Sequence, residues 1–130
     1  MNVFIVEDAE IVREGLKNML AAIPGVKVIG HAVDEQGAIE QIGTTLPDVV
    51  ILDINLQPGS GIEVLKTIKK RHPAIKVMML TNYTDEIYVN RCMSFGADYF
   101  FDKSIEFMRV GAVLSQLAFT GGLDNKFVAL

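Results

Sequence analysis

Runs of four apolar residues with no polar interruption recur along this chain: Val3–Val6 ("VFIV"), Val49–Leu52 ("VVIL") and Val77–Leu80 ("VMML"). A strand exposed on one face alternates apolar and polar side chains, so unbroken runs of this kind suit strands covered on both faces. Between the runs the apolar period becomes that of a helix. In "AEIVREGLKNMLAAI", Val12, Leu16, Met19, Leu20 and Ile23 form one stripe, with Arg13, Glu14, Lys17 and Asn18 outside it. Pro24-Gly25 stops that helix, and Pro47 and Pro73 follow the second and third.

Read this way, the strands are "VFIV", "VKVIGHA", "DVVILD", "IKVMML" and "DYFFDK". They alternate with helices expected over residues 9–23, 35–44, 61–72, 85–95 and 105–119. The second helix turns Ala38, Ile39 and Ile42 inward, and the third Ile62, Leu65 and Ile68. Thr84 or Asp85 is expected to cap the fourth, and Gly96 to close it. The strand "VKVIGHA" is the more polar and is placed at an edge. Five β–α alternations with short connections specify an α/β fold, a parallel sheet covered by helices on both faces.

A length of 130 residues fits one domain with a sizeable core. A net charge of −4 and a pI near 5.1 argue against direct nucleic-acid binding, which needs a basic face. The single cysteine, Cys92, excludes an intramolecular disulfide and fits a reducing compartment. No apolar stretch approaches the length of a bilayer span, and "MNVFIVEDAE" is no signal peptide. These features point to a cytoplasmic domain with no membrane partner. His31 and His72 have no metal-ligand companions at suitable spacing and are expected at the surface; Cys92 is expected to be structural.

The polar residues that follow the strands carry the chemistry. Strand one runs into Glu7 and Asp8, strand three into Asp53, strand four into Thr81 and strand five into Lys103. In an open parallel sheet, ligands bind beyond the carboxyl ends of the strands. Burying an unpaired carboxylate is costly, so three acids gathered at one sheet end call for a compensating ligand. Mg²⁺ suits such a site, because it is held by carboxylates, waters and phosphate oxygens. A hydroxyl and an ammonium add donors for a phosphoryl group, and an aspartate carboxylate is itself a nucleophile toward phosphorus.

These segments together resemble the receiver domain of two-component response regulators, from the first strand through the last helix. "VEDAE" resembles the family's paired acids and implies metal binding by Glu7 and Asp8. "VILDINL" implies Asp53 as the phosphoacceptor and a further metal ligand, with the backbone carbonyl of Asn55 completing the metal shell. "MLTNY" implies Thr81 as the switch hydroxyl, and "GADYFFDKS" implies Phe100 as the switch aromatic and Lys103 as the active-site lysine. Alternation agrees in setting Phe100 on the face opposite Tyr99 and Phe101. The resemblance further implies a flavodoxin-like doubly wound sheet in the order 2-1-3-4-5, with the receiver domain over residues 1–119 and a tail or linker over 120–130. It implies a signalling phosphoacceptor that assists its own phosphorylation and dephosphorylation, and is not otherwise an enzyme. Its partners would be a sensor histidine kinase or phosphotransfer protein, an output domain or downstream protein, and a second copy in a homodimer.

The family pattern is departed from in two places. Ser104 stands where proline usually follows the lysine, so the Lys103–Ser104 bond is expected to be trans. Gln57 precedes Pro58, where the proline usually comes one residue earlier. Gln57 and Tyr83 lie at positions that in this family influence how long the phosphoryl group lasts, and a bulky Tyr83 is expected to slow its hydrolysis. The fourth helix, "DEIYVNRCMSF", spreads its apolar residues around its circumference, as a partner surface would. An aspartyl phosphohydrolase would normally carry a second acid where Asn55 stands, and a flavodoxin-type flavin binder would not place Glu7-Asp8-Ala9-Glu10 at its phosphate loop. A receiver-like module that never takes phosphate is the third alternative.

Overall fold

The computed structural model describes residues 1–120. Strands β1 (Asn2–Val6), β2 (Lys27–Ala32), β3 (Val49–Leu52), β4 (Lys76–Thr81) and β5 (Tyr99–Asp102) alternate with helices α1 (Glu10–Ala21), α2 (Glu35–Thr45), α3 (Gly61–Arg71), α4 (Glu86–Ser94) and α5 (Phe107–Phe119). The strands form one sheet in the order β2-β1-β3-β4-β5, every pair parallel. The polar strand β2 is at the edge, as its composition requires.

Each central strand is buried on both faces, which explains the unbroken apolar runs. Phe4, Val6, Val50, Leu52, Val77 and Met79 point to one side, where Ala38 and Ile42 of α2, Leu65 and Ile68 of α3 and Cys92 of α4 cover them. Val3, Ile5, Val49, Ile51, Met78 and Leu80 point to the other, against Leu16 and Leu20 of α1 and Val110 and Leu114 of α5. On β5 the same alternation holds. Tyr99 and Phe101 stack at 6.0 Å on the α1/α5 side, whereas Phe100 packs against the opposite cluster.

Several local expectations are corrected. The last helix begins at Phe107, not Ile105, because Asp102 organises a turn first. Its carboxylate accepts from the backbone N–H and hydroxyl of Ser104 at 2.9 and 2.6 Å, and its carbonyl accepts from Glu106 N–H at 2.7 Å. Ile105 is left 81% exposed. Neither Thr84 nor Asp85 caps α4 through its side chain; the Asp85 carbonyl instead accepts from Tyr88 N–H at 2.9 Å. Helix α1 is Glu10–Ala21, shorter at both ends than 9–23. His31 and His72 are half-buried, not free at the surface. At His31, burial and the nearby charges of Lys17 and Arg13 lower the imidazole pKa. Among the described residues the cis peptide bond is Gln57–Pro58, so Lys103–Ser104 is trans. The tail expected over 120–130 lies, beyond Thr120, outside the described residues.

Cys92 is fully buried, and burial pushes its thiol up to about 11. The thiolate is the reactive form, so native Cys92 is expected to resist iodoacetamide at about pH 8 and to react rapidly in denaturant. Intact mass over time reads this directly. Equal rates in the two states would contradict the packing of α4 against the sheet.

Candidate functional site

The register of the sheet makes the site. Val6 pairs with Leu52, and Leu52 with Met79, so β1 and β3 end level and β4 runs two residues further. Backbone pairing continues past the assigned strands. Glu7 N–H donates to Ala32 O at 3.1 Å, Asp53 N–H to Val6 O at 3.1 Å and Lys103 N–H to Thr81 O at 2.9 Å. Glu7, Asp53 and Lys103 therefore leave the sheet from a rigid ladder and not from free loops.

Their side chains converge. Lys103 Nζ donates to Glu7 Oε1 at 2.6 Å and to Asp53 Oδ2 at 2.7 Å. Both carboxylates are almost wholly buried, and Thr81 is fully so. Asp8 is exposed and closes the group, with one oxygen from each of Glu7, Asp8 and Asp53 within 4.8 Å of the others. Burial pushes the Glu7 carboxyl above its usual range, outweighing the Lys103 hydrogen bond that lowers it. Burial would lower Lys103, but its bonds to Asp53 and Glu7 prevail and leave it raised. Three acids against one ammonium leave excess negative charge in a pocket of hard oxygen donors, which is the donor chemistry of a Mg²⁺ site.

The β3–α3 loop completes the arrangement. Asn55 N–H donates to Asp53 Oδ1 at 3.2 Å, and Asn55 forms an isolated bridge with Ser60. Gly61 N–H donates to Ile54 O at 2.8 Å, and a Cβ on Gly61 would overlap the carbonyl oxygen of Asp53. Only glycine permits that approach. Thr81 Oγ1 accepts from Tyr83 N–H at 3.2 Å, and Tyr83, itself exposed, stacks on Tyr88 at 5.3 Å. Phe100 stands on β5 among the α2–α4 cluster, on the opposite side of the strand from Phe101. Gln57 is exposed.

Two contributors escaped the sequence reading. Arg13, placed outside the α1 stripe, is half-buried and donates to the Glu7 carbonyl at 2.9 Å, fixing the turn that carries the acids. Gly61 reads in sequence as an ordinary helix start after "GS". Nothing local distinguishes a glycine needed for a close approach from one needed only for a turn.

Lys103→Ala would leave Glu7 and Asp53 buried without their cation. Removing one partner of a buried pair costs about 3 kcal/mol or more, and a loss of that order is expected in urea unfolding at about pH 8. The Lys103 hydrogen bond and charge hold the raised Glu7 pKa down, so without Lys103 Glu7 takes up its proton at a higher pH than in the parent. The penalty should therefore shrink as pH falls from about 8 toward the carboxylate range. A penalty that is constant across that window would contradict this electrostatic account.

A family model described as the response regulator receiver domain matches residues 3–115. The chain is 32% identical over 130 residues to the DNA-binding transcriptional activator DevR/DosR of Mycobacterium tuberculosis, an alignment covering 99% of this chain and 60% of that protein. It spans about half the length of the curated relatives it matches. Among solved structures, it is similar to the response regulator domain of Thermotoga maritima CheB, at 30% identity with a TM-score of 0.81, covering 95% of this chain and 98% of that one. It is also similar to a chain of the CheX–CheY–BeF3–Mg²⁺ complex of Borrelia burgdorferi, at 27% identity and a TM-score of 0.77, covering 88% and 89%. With the family model matching most of its length and the sheet order that the family resemblance implied, the chain belongs to the response regulator receiver domain family.

Proposed function

We propose that this domain is a phosphorylation-dependent signalling receiver that takes a phosphoryl group onto Asp53. The observation that carries the reading is the Asp53 carboxylate itself, buried, paired with Lys103 at 2.7 Å and grouped with the oxygens of Glu7 and Asp8. The donor is a phosphohistidine on a sensor histidine kinase or phosphotransfer protein. An Asp53 oxygen forms the new bond to phosphorus, the phosphorus–nitrogen bond breaks, and its electron pair stays with the departing imidazole.

Glu7, Asp8, Asp53 and the Asn55 backbone carbonyl would hold Mg²⁺. When bound, the ion supplies positive charge that offsets the crowded carboxylates and the phosphoryl oxygens. The fit rests on an all-oxygen donor set with excess negative charge. That the similar Borrelia chain comes from a CheX–CheY complex holding BeF3 and Mg²⁺ supports the same chemistry here. Lys103 keeps a fixed ammonium beside the attacked carboxylate, so charge arriving on the phosphoryl oxygens meets a donor already in place.

In the phosphorylated protein Thr81 bonds the new oxygens, and Phe100 turns inward toward the space this vacates. The α4–β5–α5 surface changes with them, a two-state shift read by an output domain, a downstream protein or a second copy of the domain. Exposed Ile87 and Met93 on α4 suit that surface. Tyr83 shields the aspartyl phosphate from water. The receiver occupies residues 1–119, with residues 120–130 a C-terminal tail or the start of a linker, and works in the cytoplasm.

Incubation with acetyl phosphate and Mg²⁺ is expected to give a single phosphoryl adduct by intact mass, absent in Asp53→Asn and in chelator. After donor removal, Tyr83→Ala should lose the adduct faster than the parent. An adduct that survives Asp53→Asn, or none from acetyl phosphate and a cognate kinase alike, would overturn the reading.

A further inference from the structure

The loop that carries Asn55 is tied to a second helix whose role the site described above leaves open. Glu35 is the first residue of α2, and its N-cap Asp34 fixes that helix end by accepting from Gly37 N–H at 2.8 Å. The Glu35 carboxylate crosses to the β3–α3 loop, where Oε1 accepts from Ser60 N–H at 2.9 Å. Its own N–H lies 3.4 Å from the Pro58 carbonyl. Between these two points Gly59 has φ +101°, and a Cβ there would collide with the Glu35 side chain. The loop therefore lies flush on Glu35, held on both sides of a glycine.

Ser60 connects this contact to the site. It is bridged to Asn55, whose N–H donates to Asp53 Oδ1 at 3.2 Å, and it precedes Gly61, where a Cβ would overlap the Asp53 carbonyl. Ser60 is also the N-cap of α3, with its hydroxyl accepting from Ile62 N–H at 3.1 Å. The Glu35 carboxylate thus sits near the positive ends of two helices, α2 and α3, where a negative charge is favoured. Exposed Gln57, Pro58 and Gly59 contribute no packing of their own to the core, so the far side of the loop depends on this clamp.

We propose that Glu35 is a positioning residue for the phosphoacceptor site: by holding the Ser60 amide it fixes the Asn55–Ser60 turn, and with it the Asn55 carbonyl and the Asp53 carboxylate. This rests on the phosphoacceptor reading and deepens it. Groups that orient metal ligands commonly contribute about tenfold or more to affinity or activity when removed. A residue that only stabilises α2 would lower stability without touching the site.

Three proteins distinguish these cases: Glu35→Ala, Glu35→Gln, and Ile42→Val as a core change on the same helix. In Mg²⁺-free protein, Glu35→Ala should speed hydrogen exchange of the Ser60 and Asn55 amides more than that of core strand amides. It should also weaken Mg²⁺ binding, followed by amide chemical shifts, by about tenfold and slow adduct formation with acetyl phosphate to a similar degree. Glu35→Gln, which keeps the accepting oxygen, should recover most of both, and Ile42→Val should leave Mg²⁺ affinity unchanged. If the parent forms its Asp53 adduct but Glu35→Ala binds Mg²⁺ and reacts as the parent does, the positioning role alone falls. If the parent itself neither binds Mg²⁺ nor forms an adduct, the phosphoacceptor reading falls and this inference with it.

Discussion

A single ammonium holds this site together. Lys103 Nζ stands 2.6 Å from Glu7 and 2.7 Å from Asp53, between two carboxylates that solvent scarcely reaches. Moving such charges out of water costs more than a pairing of average quality returns, and here two acids share one cation while Asp8 adds a third negative group. An apolar cluster of similar volume would serve stability better. The arrangement fits the proposed role of a pocket incompletely neutralised by its own side chains, which a cation and a phosphoryl group would complete.

The sheet is what allows that tension to persist. Glu7, Asp53 and Lys103 each continue a parallel ladder by a backbone hydrogen bond to the neighbouring strand, so none can swing away from the others without breaking the sheet. Apolar layers on both faces, α1 and α5 on one and α2, α3 and α4 on the other, fix the strands in turn. A functional constellation set on rigid elements is held more precisely than one set on loops. The β3–α3 loop, Thr81 with Tyr83, and Phe100 are the parts to which the proposed switching assigns movement.

What the sequence disclosed and what it withheld follow one physical division. Strand runs such as "VVIL" are legible because burial on both faces excludes polar residues, and the α1 stripe is legible because Leu16 and Leu20 must meet the sheet. The acids and Lys103 stand out because charge directly after an apolar strand has no packing explanation. The side of β5 on which Phe100 lies followed from simple alternation. By contrast, the need for glycine at 61 depends on the approach of the Asp53 carbonyl, and the Glu35 and Arg13 side chains reach across 25 and 6 residues of chain, each by one hydrogen bond. Contacts between distant segments leave no period in a sequence. The start of α5 was misplaced for a related reason, since the Asp102–Ser104 turn satisfies donors that a helix would otherwise use.

If the acid cluster is held short of neutrality, as proposed, Mg²⁺ should stabilise the folded protein and Asp8 should be needed for that gain. Urea unfolding of the parent and of Asp8→Asn, each with and without ~10 mM Mg²⁺, tests it most directly. Without Mg²⁺, Asp8→Asn should be the more stable protein, because one repelling charge is gone. With Mg²⁺, the parent should gain about 1–2 kcal/mol, as expected for a ligand present well above its dissociation constant, and Asp8→Asn should gain far less. Equal midpoints for the parent with and without Mg²⁺, or the same gain in both proteins, would contradict the account.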